Sequence, residues 1–256
     1  MIHPTAIIEP GARLADSVTV GPYSVIGKHV VIGSGTTVAG HVVIEGWTEI
    51  GCDNQIFQFS SIGAAPQDLK YAGQETYLKL GDRNRIREFT TLNRGTAEGG
   101  GLTSVGNDNL FMAYSHVAHD CIIHNNAILA NGATLAGHVE VESAAILGGL
   151  VAIHQFCRVG CNSMISGGSM VTQDVPPYTI AQGDRAKTVG LNLIGLKRRG
   201  FAEETIGGIK KAYRVIFRSG LRLEEALQKI DVEIEMSPEL AHFINFIKAS
   251  QRGIAR

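Results

Sequence analysis

The chain has 256 residues, with 23 Lys and Arg against 24 Asp and Glu, for a formal net charge of −1. That balance leaves no overall basic footprint for nucleic acid, and no apolar run reaches the ~20 residues that a membrane-spanning helix needs. No charged-then-apolar leader precedes the first patterned segment, so the expected location is the cytoplasm.

From the N-terminus, aliphatic residues return every six positions. One series runs from Ile2 through Ile8, Leu14 and Val20 to Ile62, a second covers Leu80, Ile86 and Leu92, and a third runs from Val105 through Phe111 and Val117 to Val171. A period of six fits neither an amphipathic helix nor an alternating sandwich strand. It is the signature of a parallel β-helix, in which each coil adds one layer to a continuous core. The first position of the hexad carries a branched aliphatic, and the fifth is small or β-branched, as at Ala6, Ser24, Thr36, Val42, Cys121, Ala133 and Ser163. Both point into a narrow tube, so bulk at one is offset by smallness at the other. Gly recurs at the second position (Gly21, Gly33, Gly81, Gly106), where a positive φ is expected. Three hexads make a triangular coil of eighteen residues, so residues eighteen apart stack at about 4.8 Å.

Two breaks interrupt the pattern, near residues 63–79 and 93–104. The first contains Gln67-Asp68-Leu69-Lys70-Tyr71, whose polar residues cannot fill inward positions, so it loops outward. The second contains Arg94-Gly95-Thr96 and Gly99-Gly100-Gly101. It lacks the strand-then-helix context of a phosphate loop and reads as a flexible turn.

Just beyond the second break lie His116 and His119, with His138 and His154 on later coils. Counting by eighteen puts Gly137 and then Gln155 over His119, and His138 over Asp120. An outward imidazole beneath a glycine amide pairs a base with an oxyanion donor, a combination suited to acyl transfer. Cys121 and Cys157 take inward fifth positions as core thiols, and Cys157 and Cys161 lack the CxxC spacing of a zinc site. No metal and no cofactor are expected.

The hexads stop at Asp174-Val175-Pro176-Pro177, dividing the chain into a solenoid over 1–182 and an α-helical domain over 183–256. Helices are expected from Ala202 to Arg218, ended by Gly220, from Leu223 to Met236, and from Ser237-Pro238 onward, where Ser caps and Pro takes the first turn. Charge divides with them. The solenoid has nine Lys and Arg against fifteen Asp and Glu, the tail fourteen against nine. A basic tail is either a solvated face or a dock for an acidic partner or a phosphate-bearing substrate.

These hexads, together with Gln67–Tyr71, Gly81-Asp82-Arg83-Asn84-Arg85-Ile86-Arg87-Glu88, His119-Asp120, Leu135-Ala136-Gly137-His138, His154-Gln155-Phe156-Cys157, Asp174–Pro177 and Gly195-Leu196-Lys197-Arg198-Arg199-Gly200-Phe201, closely resemble the UDP-N-acetylglucosamine O-acyltransferases. The likeness runs over essentially the whole chain. It implies a left-handed parallel β-helix followed by a C-terminal helical domain, and transfer of an (R)-3-hydroxyacyl chain from acyl carrier protein to the sugar 3-hydroxyl, the first step of lipid A synthesis. On that resemblance His119 is the general base, Gly137 the oxyanion donor and Asp120 the residue that orients or polarises His119, with no covalent acyl-enzyme. Asp68, Lys70, His116, His138 and Gln155 match positions that hold the sugar nucleotide, and His154 lies beside them. Asn192, Arg198 and Arg199 match nucleotide contacts from a neighbouring subunit of a homotrimer. Gly167 matches a ruler at the end of the acyl groove, which its missing side chain leaves open for a chain longer than ten carbons, with fourteen favoured. The acidic carrier protein would dock on Lys210, Lys211, Arg214 and Arg218. Two departures, Ile194 for a Glu and Asn93 for a His, bear on nucleotide binding only. The alternatives are a γ-class carbonic anhydrase-like metalloenzyme and a non-catalytic β-helix binding module.

Overall fold

The computed structural model describes all 256 residues, Met1–Arg256. Twenty-seven strands, most of them two residues long, lie in three sheets of nine, eight and ten strands. Successive strands visit the sheets in rotation. Val25 pairs in parallel with Val43, Val31 with Glu49 and Thr19 with Thr37, each eighteen residues on. The result is a left-handed parallel β-helix with three flat faces. Face 1 runs from Ile7–Ile8 to Met170–Val171, face 2 from Arg13–Leu14 to Arg158–Val159, and face 3 from Thr19–Val20 to the closing pair Thr179–Gln182 and Lys187–Leu191.

The inward positions fall where the hexad places them. Every first-position residue from Val20 to Val171 is at most 4% exposed, whereas Ile2 is 47% exposed at the open end of the tube. Polar fifth-position residues bond to the backbone of their own corners: Ser24 Oγ donates to Ala39 O at 2.7 Å and Thr36 Oγ1 to Gly51 O at 2.8 Å. Asn54, Asn84 and Asn109 form a buried ladder. Asn84 Nδ2 donates to Asn54 Oδ1 at 3.1 Å and Asn109 Nδ2 to Asn84 Oδ1 at 3.0 Å.

The second-position glycines have a different cause from the one expected. Gly21, Gly33, Gly81 and Gly106 do not take a positive φ. A Cβ at Gly33, Gly81 or Gly106 would instead lie 2.7 Å from a backbone atom of the next coil, so close stacking excludes a side chain. The left-handed conformation sits two residues later, at the fourth position, in residues such as Asp53 (φ 56°), Asp120 (φ 59°), His138 (φ 62°) and Asn162 (φ 54°). Asp, Asn and His tolerate it best, but Tyr23, Phe59, Phe89, Tyr114, Leu150 and Phe156 adopt it at the same position, so the corner geometry and not the side chain imposes it.

Both breaks leave the tube at one corner. Ile50 pairs with Leu80 and Leu80 with Val105, separations of thirty and twenty-five where eighteen is the rule. Strands extend into the expected loops, so the first segment outside the sheets lies between Ser61–Ala64 and Tyr77–Leu80 and the second between Thr91–Asn93 and Leu102–Val105. Each passes from face 1 to face 2.

After the solenoid the chain adds the antiparallel strand Lys187–Leu191 and helix α1, Leu193–Arg198, neither of which the hexad or helical patterns marked. Helix α2 spans Glu203–Arg218, α3 Leu223–Glu233 and α4 Pro238–Lys248. The second of these stops three residues short of Met236, at an extended Ile234 (φ −124°, ψ 126°). Ser237 caps α4 through Leu240 N at 3.2 Å. Ile206, Ile209, Phe243 and Ile247 anchor a separate apolar core for the helices, and the C-terminus returns to the tube, where Ala255 N donates to Asp174 O at 2.8 Å. No helix is long and apolar enough to cross a membrane.

Candidate active site

The corner between faces 1 and 2 gathers the chemistry. His119 follows the face-1 strand His116–Val117, and eighteen residues on Gly137 follows Thr134–Leu135. The imidazole lies flat under that glycine: a Cβ on Gly137 would meet His119 Cε1 at 2.5 Å and Nε2 at 2.7 Å. The Gly137 N–H makes no hydrogen bond within the chain. It is an available donor beside a ring nitrogen.

Which nitrogen is available follows from Asp120. That side chain is 1% exposed and lies 2.7 Å from His119 Nδ1 through Oδ2. Its oxygens also accept from Thr96 N at 2.9 Å and Thr96 Oγ1 at 2.6 Å, and its own N–H donates to Thr103 Oγ1 at 2.8 Å. A carboxylate that accepts three donors must take the Nδ1 proton as one of them, which leaves the Nε2 lone pair facing outward. Here the second loop has a purpose the sequence reading missed. A Cβ at Gly99 would collide with the Asp120 carboxylate, so the glycine run begins packed on Asp120, and Gly100 (φ 97°) and Gly101 (φ 79°) then turn the chain back to the tube. The seven-residue insertion breaks the eighteen-residue count, which is why Thr96 was not predicted.

His138 packs edge-on to His119, with ring centroids 5.2 Å apart at 89°, and stacks on Phe156 at 4.4 Å. Phe156 stands eighteen residues on from His138, as the coil length requires, while Gln155 and His154 are exposed. Partial burial lowers the His138 pKa, which Asp120 partly offsets and His119 reinforces. His116 is lowered too, chiefly by burial and then by His119, and its Nδ1 lies 2.7 Å from Thr91 Oγ1. Both imidazoles are therefore biased toward their neutral forms beside the His119–Asp120 pair.

The two loops close over this corner together. Lys70 Nζ reaches Glu98 Oε2 at 3.2 Å, while Lys70 N donates to Asp68 Oδ1 at 2.9 Å. Arg94 clamps the first loop through Tyr71 Oη at 2.9 Å and Gly63 O at 2.7 Å, and Asn93 Nδ2 donates to Ala65 O at 3.1 Å. Asn93 thus acts on loop shape in this chain.

The remaining predicted residues lie elsewhere. Gly167 sits on the corner between faces 3 and 1, where a Cβ would be 3.1 Å from Gly149 O. Asn192 caps α1, accepting from Gly195 N at 3.1 Å and donating to Asn162 O at 3.0 Å. Arg198 is exposed at the end of α1. Arg199 lines a cavity of about 610 Å³ between faces 2 and 3 with Arg83, Arg85 and Asp108. Together with the His119 corner, one chain alone therefore spreads the predicted residues over three different corners. His119, Asp120 and His138 also offer donor atoms within 4.8 Å of one another, the feature that keeps a metalloenzyme reading in view.

Relatives decide between these readings. Two stretches of six hexapeptide repeats match the bacterial transferase hexapeptide family at residues 11–46 and 103–137. With an oriented imidazole and a free amide at one solenoid corner, fold and site define a hexapeptide-repeat acyltransferase. Residues 174–255 match domain 2 of the Udp N-acetylglucosamine O-acyltransferases. The chain is 56% identical to the acyl-[acyl-carrier-protein]–UDP-N-acetylglucosamine O-acyltransferase of Janthinobacterium sp. (strain Marseille), covering 100% of this chain and 99% of the relative. It superposes on the UDP-N-acetylglucosamine acyltransferase of Bacteroides fragilis with a TM-score of 0.98 at 45% identity, covering 100% of both chains. The UDP-N-acetylglucosamine O-acyltransferase of Moraxella catarrhalis gives 0.96 at 46% identity, covering 100% of this chain and 99% of that one. The chain belongs to the acyl-[acyl-carrier-protein]–UDP-N-acetylglucosamine O-acyltransferase family, and the carbonic anhydrase and binding-module alternatives are not favoured.

Proposed function

We propose that this protein moves an (R)-3-hydroxyacyl group from acyl carrier protein to the 3-hydroxyl of UDP-N-acetylglucosamine, opening lipid A synthesis. The observation that carries the mechanism is the unengaged Gly137 amide above a His119 whose Nδ1 is committed to Asp120. His119 Nε2 takes the hydroxyl proton as the sugar oxygen attacks the thioester carbonyl. The Gly137 N–H receives the charge that develops on the carbonyl oxygen. Collapse breaks the C–S bond, and His119 returns its proton to the leaving thiolate. Asp120 is a positioning residue, fixing the tautomer and stabilising the imidazolium.

No acyl-enzyme is required. Cys121 and Cys157 are wholly buried, and burial pushes their thiols up to about 12 and about 11, so neither is poised as a nucleophile. Asp68, Lys70, His116, His138, His154 and Gln155 surround the sugar nucleotide on this corner. Because Gly167, Asn192, Arg198 and Arg199 occupy other corners of the same chain, the complete site draws them from a neighbouring copy. A homotrimer with its sites in the clefts between β-helices satisfies that requirement. Lys211, Arg214 and Arg218 share one exposed stripe of α2, which suits an acidic carrier protein in the cytoplasm.

The test is direct: incubate purified protein with UDP-N-acetylglucosamine and a panel of 3-hydroxyacyl carrier proteins, then locate the acyl group by mass spectrometry and NMR. An ester on O3 is expected. No transfer from any donor overturns the proposal.

A further inference from the structure

A second cluster of reactive side chains lies on the opposite side of face 2 from His119. Glu142 and Cys161 follow the face-2 strands Glu140–Val141 and Arg158–Val159 on successive coils, and His242 reaches over them from α4. We infer that Glu142, Cys161 and His242 form a binding site for a borderline divalent transition metal, with Zn²⁺ the best match. The donor atoms of all three lie within 4.8 Å of one another. His242 Nε2 is 2.8 Å from Glu142 Oε2, and the same oxygen accepts from Cys161 N at 2.8 Å.

The chemistry of the set selects the metal. Thiolate, imidazole and carboxylate together are the ligands of zinc and its neighbours, whereas Mg²⁺ and Ca²⁺ call for oxygen alone. One Cys thiolate and one carboxylate neutralise a divalent ion. Binding releases the Cys161 thiol proton and any proton held by His242 Nε2, so atoms and charge balance. Zinc bonds of about 2.0–2.3 Å at tetrahedral angles place ligands roughly 3.5 Å apart. The His242–Glu142 contact must therefore open by less than an ångström.

The surroundings leave room for a fourth ligand. The cluster borders a cavity of about 450 Å³ also lined by Tyr178 and Glu239. Glu239 stands three residues before His242 in α4, so the two share a helix face. Either its carboxylate or a water completes the tetrahedron. With ligands from two solenoid coils and one helix, the ion would fasten the helical domain to the tube. Sequence spacing could not announce such a site, because its ligands are scattered from residue 142 to residue 242.

The experiment is a Co²⁺ titration of chelator-treated full-length protein, read by absorption. One equivalent per chain is expected, with a thiolate-to-cobalt charge-transfer band that Zn²⁺ displaces. Cys161→Ser should abolish the band and weaken Zn²⁺ binding by about tenfold or more, and His242→Gln should weaken it similarly. Cys52→Ser, at a partly exposed free thiol outside the cluster, should change neither. Zn²⁺ should also raise the thermal midpoint of the wild type and fail to do so for Cys161→Ser, with circular dichroism confirming that the variant is folded. A wild type without the charge-transfer band, a band that survives Cys161→Ser, or metal binding lost only with His138→Ala would overturn the inference.

Discussion

Gly137→Ala isolates the geometry on which the proposed mechanism depends. The added Cβ would lie 2.5 Å from His119 Cε1 and 2.7 Å from Nε2, whereas ordinary contacts between such atoms begin near 3.5 Å. The ring must retreat by about 1 Å. It cannot swing freely, because Nδ1 is held 2.7 Å from an Asp120 that is itself fixed by Thr96 and the wrap of the second loop. The substitution keeps the backbone N–H, so the oxyanion donor survives while the base is displaced. A misplacement of about 1 Å costs about 100-fold in rate, or about 2.7 kcal/mol of barrier. Steady-state kinetics with saturating UDP-N-acetylglucosamine should show that fall in kcat, with circular dichroism unchanged. A kcat within about threefold of wild type would refute the stacking argument.

Other expectations follow from separate parts of the molecule. Gly167→Met has only Gly149 O at 3.1 Å to displace, so it should fold and shift donor preference toward shorter acyl chains; competition between ten- and fourteen-carbon donors checks this, and an unchanged preference removes the ruler role. Arg214→Glu on the exposed stripe of α2 should raise KM for acyl carrier protein several-fold and leave KM for the sugar nucleotide alone; an unchanged carrier KM contradicts the docking proposal. Asn84→Ala removes the acceptor for Asn109 N and Nδ2, at 2.9 Å and 3.0 Å, and strands buried donors at about 1–3 kcal/mol each. Urea denaturation should show a loss of roughly 3 kcal/mol, and a loss below about 1 kcal/mol would mean that the ladder relaxes.

The period of six made the tube legible because each hexad repeats one physical constraint, and its phase placed Gly137 over His119 without any structure. Where the constraint was misread, the structure supplies another cause. Gly33 and Gly81 are glycine because the next coil leaves no room for a Cβ, and the strained corner falls two residues later on residues such as Asp120 and His138. The parts that were not legible depend on insertions and long-range contacts. Thr96 reaches Asp120 only because seven extra residues fold back over the corner. Strand Lys187–Leu191 and helix α1 are short elements held by tertiary partners, among them Asn192, whose amide caps α1 and donates to Asn162 O, contacts that no sequence spacing marks.

The central claim is that a single imidazole, oriented by Asp120 beneath Gly137, removes the proton from the acceptor hydroxyl. The most direct measurement is kcat for His119→Ala beside the wild type, with UDP-N-acetylglucosamine binding measured in parallel by calorimetry. Loss of a general base predicts a fall of about 10²–10⁴-fold with sugar-nucleotide affinity largely retained. A His119→Ala protein that acylates at close to the wild-type rate would contradict the account.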